Sequence, residues 1–274
     1  MRLNAECQLS FDASTPTPTI FMLRPRSGKG QWVMREEYLL QPNVLVTEYT
    51  DGFGNLCQRL VVPEGRFSIH TTAWVDTADE IDVTPGAPYI PVENLPEDTL
   101  QFLLPSRYCQ SDQMGTLALE IVQNAIPGYN QVEAIRAWVQ SNVEYRYGTS
   151  DASTSALDTA QQRIGVCRDF AHLGIALCRS LNIPARMVVG YLYQLDPMDL
   201  HAWFEAFVGD RADSLTEGRW YTFDATQKEP RGNRIAIAYG RDAADVALST
   251  QFGSMQLLEM NVSVEALKNP INSP

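Results

Sequence analysis

The sequence predicts an α+β protein of two units: an N-terminal all-β sandwich over residues 1–100, then a helical and antiparallel-sheet unit over residues 101–274. Three observations carry this. Residues 3–83 are rich in β-branched and aromatic side chains broken at short intervals by turn signals. Residues 84–96 hold Pro85, Gly86, Pro88, Pro91 and Pro96, which no regular element accommodates. Beyond them the apolar period changes from that of strands to that of helices. A chain of 274 residues, 45% hydrophobic and 20% charged, is long enough for two such cores.

In the first unit, Thr15-Pro16-Thr17-Pro18, Ser27-Gly28, Asp51-Gly52 and Pro63-Glu64-Gly65 separate the strand-like runs. Residues 43–49 and 56–62 flank Asp51-Gly52-Phe53-Gly54, a hairpin signature, and residues 65–75 supply a further strand. A sandwich is the simplest packing of such strands. The boundary falls within residues 84–105.

In the second unit, Ala118, Ile121, Val122 and Ala125 recur at helical spacing. So do Val132, Ile135, Ala137, Trp138 and Val139 after Pro127-Gly128. Residues 143–147 read as a short strand and 149–154 as a polar loop. A third helix starts near Cys167, with Cys167, Phe170, Gly174, Leu177, Cys178 and Leu181 forming one stripe, and ends before Pro184. Three strand-like runs follow, at residues 185–193, 201–208 and 220–224. The tail, residues 242–267, has alternating stretches at 256–260 and 262–264 that suit edge strands.

Composition excludes several classes of function. The formal net charge of −12 opposes nucleic acid and anionic membrane as partners. The longest apolar run, residues 187–193, is far short of the roughly 18 residues a span requires. Glu6 and Gln8 stand where a secretory signal needs an unbroken apolar stretch, so a cytoplasmic location is expected. Cys7, Cys57, Cys109, Cys167 and Cys178 form no C-x-x-C pair, and the histidines number 3. These counts argue against a disulfide framework and a zinc knuckle, and neither a metal nor a cofactor is expected.

The chemistry concentrates at Cys167, where a loop turns into a helix and unpaired backbone N–H groups favour a thiolate. A free thiol is only about 3% ionised at pH 7, so a nucleophilic cysteine needs this help together with a histidine. His172 lies about 140° around the helix from Cys167 and points elsewhere. His201 is the better partner. If residues 201–208 and 220–224 form a hairpin closed around residues 212 and 213, His201 faces Asp224 and Trp203 faces Thr222. Asp224 then fixes the imidazole, and Trp203 lies beside the pair. The remaining candidates have structural readings: Cys178 as core, His172 as a core or supporting residue, and His70 at the surface. Asp169 answers the helix dipole and Arg168 is paired or solvated, either of them suited to holding the loop of the site, and Asp242 and Asp245 cap the tail or approach the site.

The blocks Gly165-Val166-Cys167-Arg168-Asp169-Phe170-Ala171-His172-Leu173, Leu181-Asn182-Ile183-Pro184-Ala185-Arg186, Gly190-Tyr191, His201-Ala202-Trp203 and Trp220-Tyr221-Thr222-Phe223-Asp224-Ala225-Thr226 resemble, in order and spacing, the bacterial transglutaminase-like superfamily. So does the segment Gly240-Arg241-Asp242-Ala243-Ala244-Asp245-Val246 after them. The resemblance covers about residues 105–245, and the β-rich segment before it is similar to the domain that often precedes this core. It implies a papain-like fold and a triad of Cys167, His201 and Asp224. The implied chemistry is acyl transfer through a thioester, with hydrolysis of a peptide or protein amide expected over transfer to an amine. The alternatives are a protein-glutamine transglutaminase and an interaction module that keeps the fold without turnover.

Overall fold

The computed structural model describes residues 1–28, 30–210 and 217–267. The chain begins with β1 (Arg2–Ala13), β2 (Thr17–Arg24), β3 (Gln31–Gln41), β4 (Thr47–Thr50), β5 (Leu56–Val62) and β6 (Gly65–Thr77). In β1 the alternation is complete: Leu3, Ala5, Cys7, Leu9, Phe11 and Ala13 are buried, while Asn4, Glu6, Gln8 and Ser10 turn outward. The expected hairpin is present as β4 and β5, with Tyr49 opposite Cys57. At the turn, the Asp51 carboxylate accepts from the Phe53 and Asn55 backbone N–H groups.

After three short 3-10 turns come α1 (Gly115–Val122), α2 (Tyr129–Asn142), β7 (Glu144–Tyr145), α3 (Ala156–Gln162), β8 (Ile164–Gly165) and α4 (Cys167–Ser180). Next are β9 (Ala185–Leu192), β10 (His201–Gly209), β11 (Gly218–Phe223) and β12 (Arg234–Gly240), and the tail supplies β13 (Ser249–Gln251) and β14 (Met255–Ala266). Helix α3 and strand β12 were not expected. The Ser155-x-x-Asp158 spacing of a capping box marks α3, since Asp158 Oδ2 accepts from the Ser155 N–H at 2.9 Å. No helix among the described residues is long and apolar enough to cross a membrane.

Three four-stranded sheets result, in the orders β14-β1-β6-β3, β13-β2-β5-β4 and β11-β10-β9-β12. The first two face each other as a sandwich, with Phe11 and Phe67 at 5.7 and 6.2 Å from Phe21, centroid to centroid. Each contains one strand from the tail: β14 pairs along the whole of β1, and β13 pairs with β2. The unit expected to run over residues 101–274 thus gives its last strands to the N-terminal sandwich. Strand pairing across more than 200 residues leaves no trace in local periodicity, which is why the tail reads from sequence only as edge strands.

Helix α4 lies against the third sheet and is buried at every residue from Asp169 to Arg179. The close approach depends on Gly174, because a Cβ there would stand 2.6 Å from the Phe204 ring. The β10–β11 ladder differs from the expected register. Phe204 faces Phe223 and Glu205 faces Thr222, so the pairing is offset by two residues and Trp203 does not face Thr222. The turn at residues 212 and 213 lies outside the described residues. A two-residue offset keeps every side chain on its predicted face, because the strand period is two.

One apolar cluster runs from Leu3 in the sandwich to Ile237 in β12, so the two units share a core. Two side-chain amides complete the joint. Gln31 accepts from the Ala236 N–H at 2.7 Å and donates to the Ala236 carbonyl at 2.9 Å, and Asn55 makes the same pair with Tyr239 at 2.8 Å each. They flank a bulge in the β9–β12 ladder between Ala236 and Ala238 and act there as short pieces of strand. Gln31→Ala leaves a buried N–H and C=O unpaired, and we expect it to cost about 2 kcal/mol in denaturant unfolding. Val61→Ala, at an exposed strand position, is expected to change stability by under about 0.5 kcal/mol.

Candidate active site

Cys167 is the first residue of α4, and the backbone before it is fixed by two contacts. Asp169 Oδ2 accepts from the Val166 N–H at 2.9 Å, and the Asp169 side chain fits because residue 165 is glycine, where a Cβ would stand 2.7 Å from the Asp169 Cβ. Arg168 donates to Asp169 Oδ1 at 3.0 Å and to the Asp151 carbonyl at 2.7 Å, tying the polar loop to the helix start. The other four cysteines are buried, whereas Cys167 is partly exposed. Burial pushes the thiols of Cys7 and Cys109 up to about 12 and raises those of Cys57 and Cys178.

His201, the first residue of β10, has its Nε2 at 2.7 Å from Asp224 Oδ2. The Cys167 thiol adjoins the same imidazole and contributes to its electrostatics. The structure therefore brings Cys167, His201 and Asp224 together. Asp224 does so from just beyond the end of β11 rather than from directly across the ladder. Burial disfavours the imidazolium, but the Asp224 charge and hydrogen bond together with Cys167 outweigh it and raise His201 to about 9. Asp224 shows the converse. Burial opposes its ionisation, yet Arg234 and then His201 hold its carboxyl far below the usual carboxylate range.

Asp224 is fully provided with donors. Thr226 gives Oδ1 its backbone N–H at 3.0 Å and its hydroxyl at 2.7 Å, and Arg234 Nη2 reaches Oδ2 at 2.8 Å. Arg234 and Thr226 were not singled out from sequence. The alternating run Arg234-Ile235-Ala236-Ile237-Ala238-Tyr239 that builds β12 was the available signal for the former. Trp203 is buried with its ring 6.1 Å from that of His201, the expected neighbour.

Tyr145 forms a wall on the other side. The β7–β8 pairing sets it opposite Gly165, its ring is 5.7 Å from Phe170, and its hydroxyl meets both the Cys167 thiol and the Cys167 backbone N–H. Burial, and then the adjoining thiol, push its phenol well up.

His172 lies away from this group. It is buried against Tyr108 at 5.1 Å, its Nε2 accepts from the Ala243 N–H at 3.1 Å, and burial pulls it down to about 4. Asp242 accepts from the Tyr108 and Ala244 N–H groups, and Asp245 from the Arg241 N–H, so both are structural. His70 lies on the outer sandwich face, 3.4 Å from Glu6. A cavity of about 610 Å³ is lined in part by Arg186, Trp203, Glu205, Trp220, Arg234 and Tyr239, and neither Cys167 nor His201 lines it.

The profile of the transglutaminase-like superfamily matches residues 115–225, the stretch that holds all three residues. A solved structure from Cytophaga hutchinsonii, described as a candidate cysteine protease, superposes with a TM-score of 0.87. It is 37% identical and covers 99% of this chain and 92% of its own. This chain belongs to the transglutaminase-like superfamily. An uncharacterized protein of Mycobacterium leprae is 28% identical to this superfamily member over 261 residues, 89% of each chain. One of Mycobacterium tuberculosis is 26% identical over 221 residues, 72% of this chain and 68% of its own. The structural match spans nearly the whole chain, so the sandwich and the transglutaminase-like core occur together in both.

A histidine whose folded pKa lies above its unfolded value adds stability that is whole below pH 6.5 and is lost as the pH rises through about 9. We expect the difference in unfolding free energy between the wild type and His201→Gln to shrink between those pH values. Denaturant titrations at several pH values measure it.

Proposed function

We propose that this transglutaminase-like protein is a thiol-dependent acyl-transfer enzyme that hydrolyses an amide bond in a peptide or protein. Cys167 is the nucleophile, His201 the proton carrier and Asp224 its orienting carboxylate. The observation that carries the reading is a single imidazole held between a buried carboxylate, 2.7 Å away, and a thiol at a helix start. With its pKa raised to about 9, His201 is an imidazolium at neutral pH, the partner a thiolate requires.

In this scheme the Cys167 sulfur attacks the amide carbonyl carbon, and negative charge gathers on the carbonyl oxygen. The Cys167 backbone N–H and the Tyr145 hydroxyl are the two donors suited to receive it, since they already adjoin each other. As the C–N bond breaks, His201 passes its proton to the departing amine, leaving a thioester. Water then attacks the thioester and His201 takes its proton. The thiolate leaves and the carboxylic acid product is released. The 37% identical relative described as a candidate cysteine protease supports hydrolysis over amine transfer.

At neutral pH, iodoacetamide should alkylate Cys167 at least about tenfold faster than any of the four buried cysteines. His201→Ala should slow that reaction markedly, and peptide mapping with mass spectrometry reads both. Equal rates at all five cysteines would remove the enzymatic reading. Offered a glutamine-containing peptide with water alone or with added primary amine, the enzyme should release the hydrolysed product in both. Dominant amine incorporation would identify a transglutaminase instead.

A further inference from the structure

Asp224 presents one carboxylate oxygen, Oδ2, to two cations at once. His201 Nε2 lies 2.7 Å from it and Arg234 Nη2 lies 2.8 Å from it, while Oδ1 is occupied by Thr226. The Arg234 side chain is 7% exposed and that of Asp224 4%, so little water intervenes to screen the arrangement. The guanidinium is also fixed elsewhere. Its Nε donates to the Arg231 carbonyl at 2.9 Å, and its carbon lies 5.0 Å from the centroid of Trp203, the residue beside the His201 ring. Arg234 comes from β12, a strand that reaches this position because Gln31 of the sandwich holds its backbone at Ala236.

We propose that Arg234 is a positioning residue for the His201–Asp224 pair, competing for the oxygen that His201 uses and so limiting how tightly Asp224 retains the imidazolium proton. A buried carboxylate facing histidine alone would hold that proton more strongly and make His201 a poorer acid toward a departing amine. A second cation on the same oxygen opposes this and keeps the carboxylate ionised and oriented when His201 is neutral. The other charged and titratable groups around the pair include Cys167 from α4, Tyr129 and the Glu133–Arg136 ion pair from α2, and Glu229 and Arg231 from the segment before β12. None of these shares the Asp224 oxygens. The purpose assigned to Arg234 rests on the acyl-transfer reading, whereas its electrostatic effect does not.

The experiment follows the His201 titration midpoint by NMR in histidine-labelled full-length protein, where 3 histidines are present and His201→Ala assigns the signal. Arg234→Gln should raise the midpoint by about one pH unit, and Arg234→Lys, which keeps the charge, should hold it near the native value. Because removing one member of a buried pair can unfold a protein, Asp224→Asn and the double variant Asp224→Asn/Arg234→Gln form a second comparison. The single change leaves an unopposed cation beside His201 and should drop its midpoint below 6.5. The double change removes both charges and should bring it back up. An unmoved midpoint in folded Arg234→Gln, or a double variant no higher than Asp224→Asn, would overturn the proposal. Loss of fold in Arg234→Lys, whose charge is retained, would also count against it. These readings do not involve turnover, so non-selective alkylation of Cys167 would defeat the enzymatic reading while leaving the charge competition standing or falling on its own data.

Discussion

A carboxylate whose side chain is 4% exposed is the constraint around which the second unit is built. Stripped of water, an ionised Asp224 would cost several kcal/mol unless every oxygen met donors of suitable charge and geometry. The chain meets this with elements distant in sequence: the residues just after β11 for Thr226, the start of β10 for His201, and the start of β12 for Arg234. Each side chain sits at the end of a strand. The sheet order β11-β10-β9-β12 brings those ends within one carboxylate's reach.

That sheet is in turn held on one face and along one edge. Helix α4 packs on one side through the Gly174–Phe204 contact, which fixes where the helix begins and hence where Cys167 stands. On the edge formed by β12, the sandwich supplies Gln31 and Asn55 as surrogate strand partners. The sandwich is closed by the tail strands β13 and β14. The N-terminal unit therefore has a mechanical connection to the site: it holds the strand that carries Arg234. A substitution at Gln31 would reach the Cys167, His201 and Asp224 group through backbone position, not through contact.

Much of this could be read locally. The β1 alternation, the β4–β5 hairpin, α2 and the start of α4 at Cys167 all arise from period and turn chemistry within a dozen residues. Likewise, the structural roles of Cys178, His172, Asp169 and Asp242 follow from burial and from helix-end or turn chemistry. Other features escaped. Helix α3 has 7 residues, too few for a convincing apolar stripe, and only its capping spacing betrays it. The hairpin register is offset by two residues, because the symmetry of the connecting sequence does not by itself fix which residues pair. The faces still came out right, since an even offset preserves them.

The sequence by itself determined which residue types stand ready for chemistry: a cysteine at a helix start, a histidine opening a strand and an aspartate ending the next, in the order of the transglutaminase-like superfamily. Local patterning suffices for that, because helix ends and strand alternation are set by neighbours in the chain. The tertiary structure decided the rest. It placed Arg234 on the oxygen that His201 also uses, placed Tyr145 against the Cys167 N–H, and gave the last strands of the tail to the first sheets of the chain. These are pairings across 10 to 263 residues. They arise when buried polar groups and open sheet edges find partners in three dimensions, an accounting that no window along the sequence can perform.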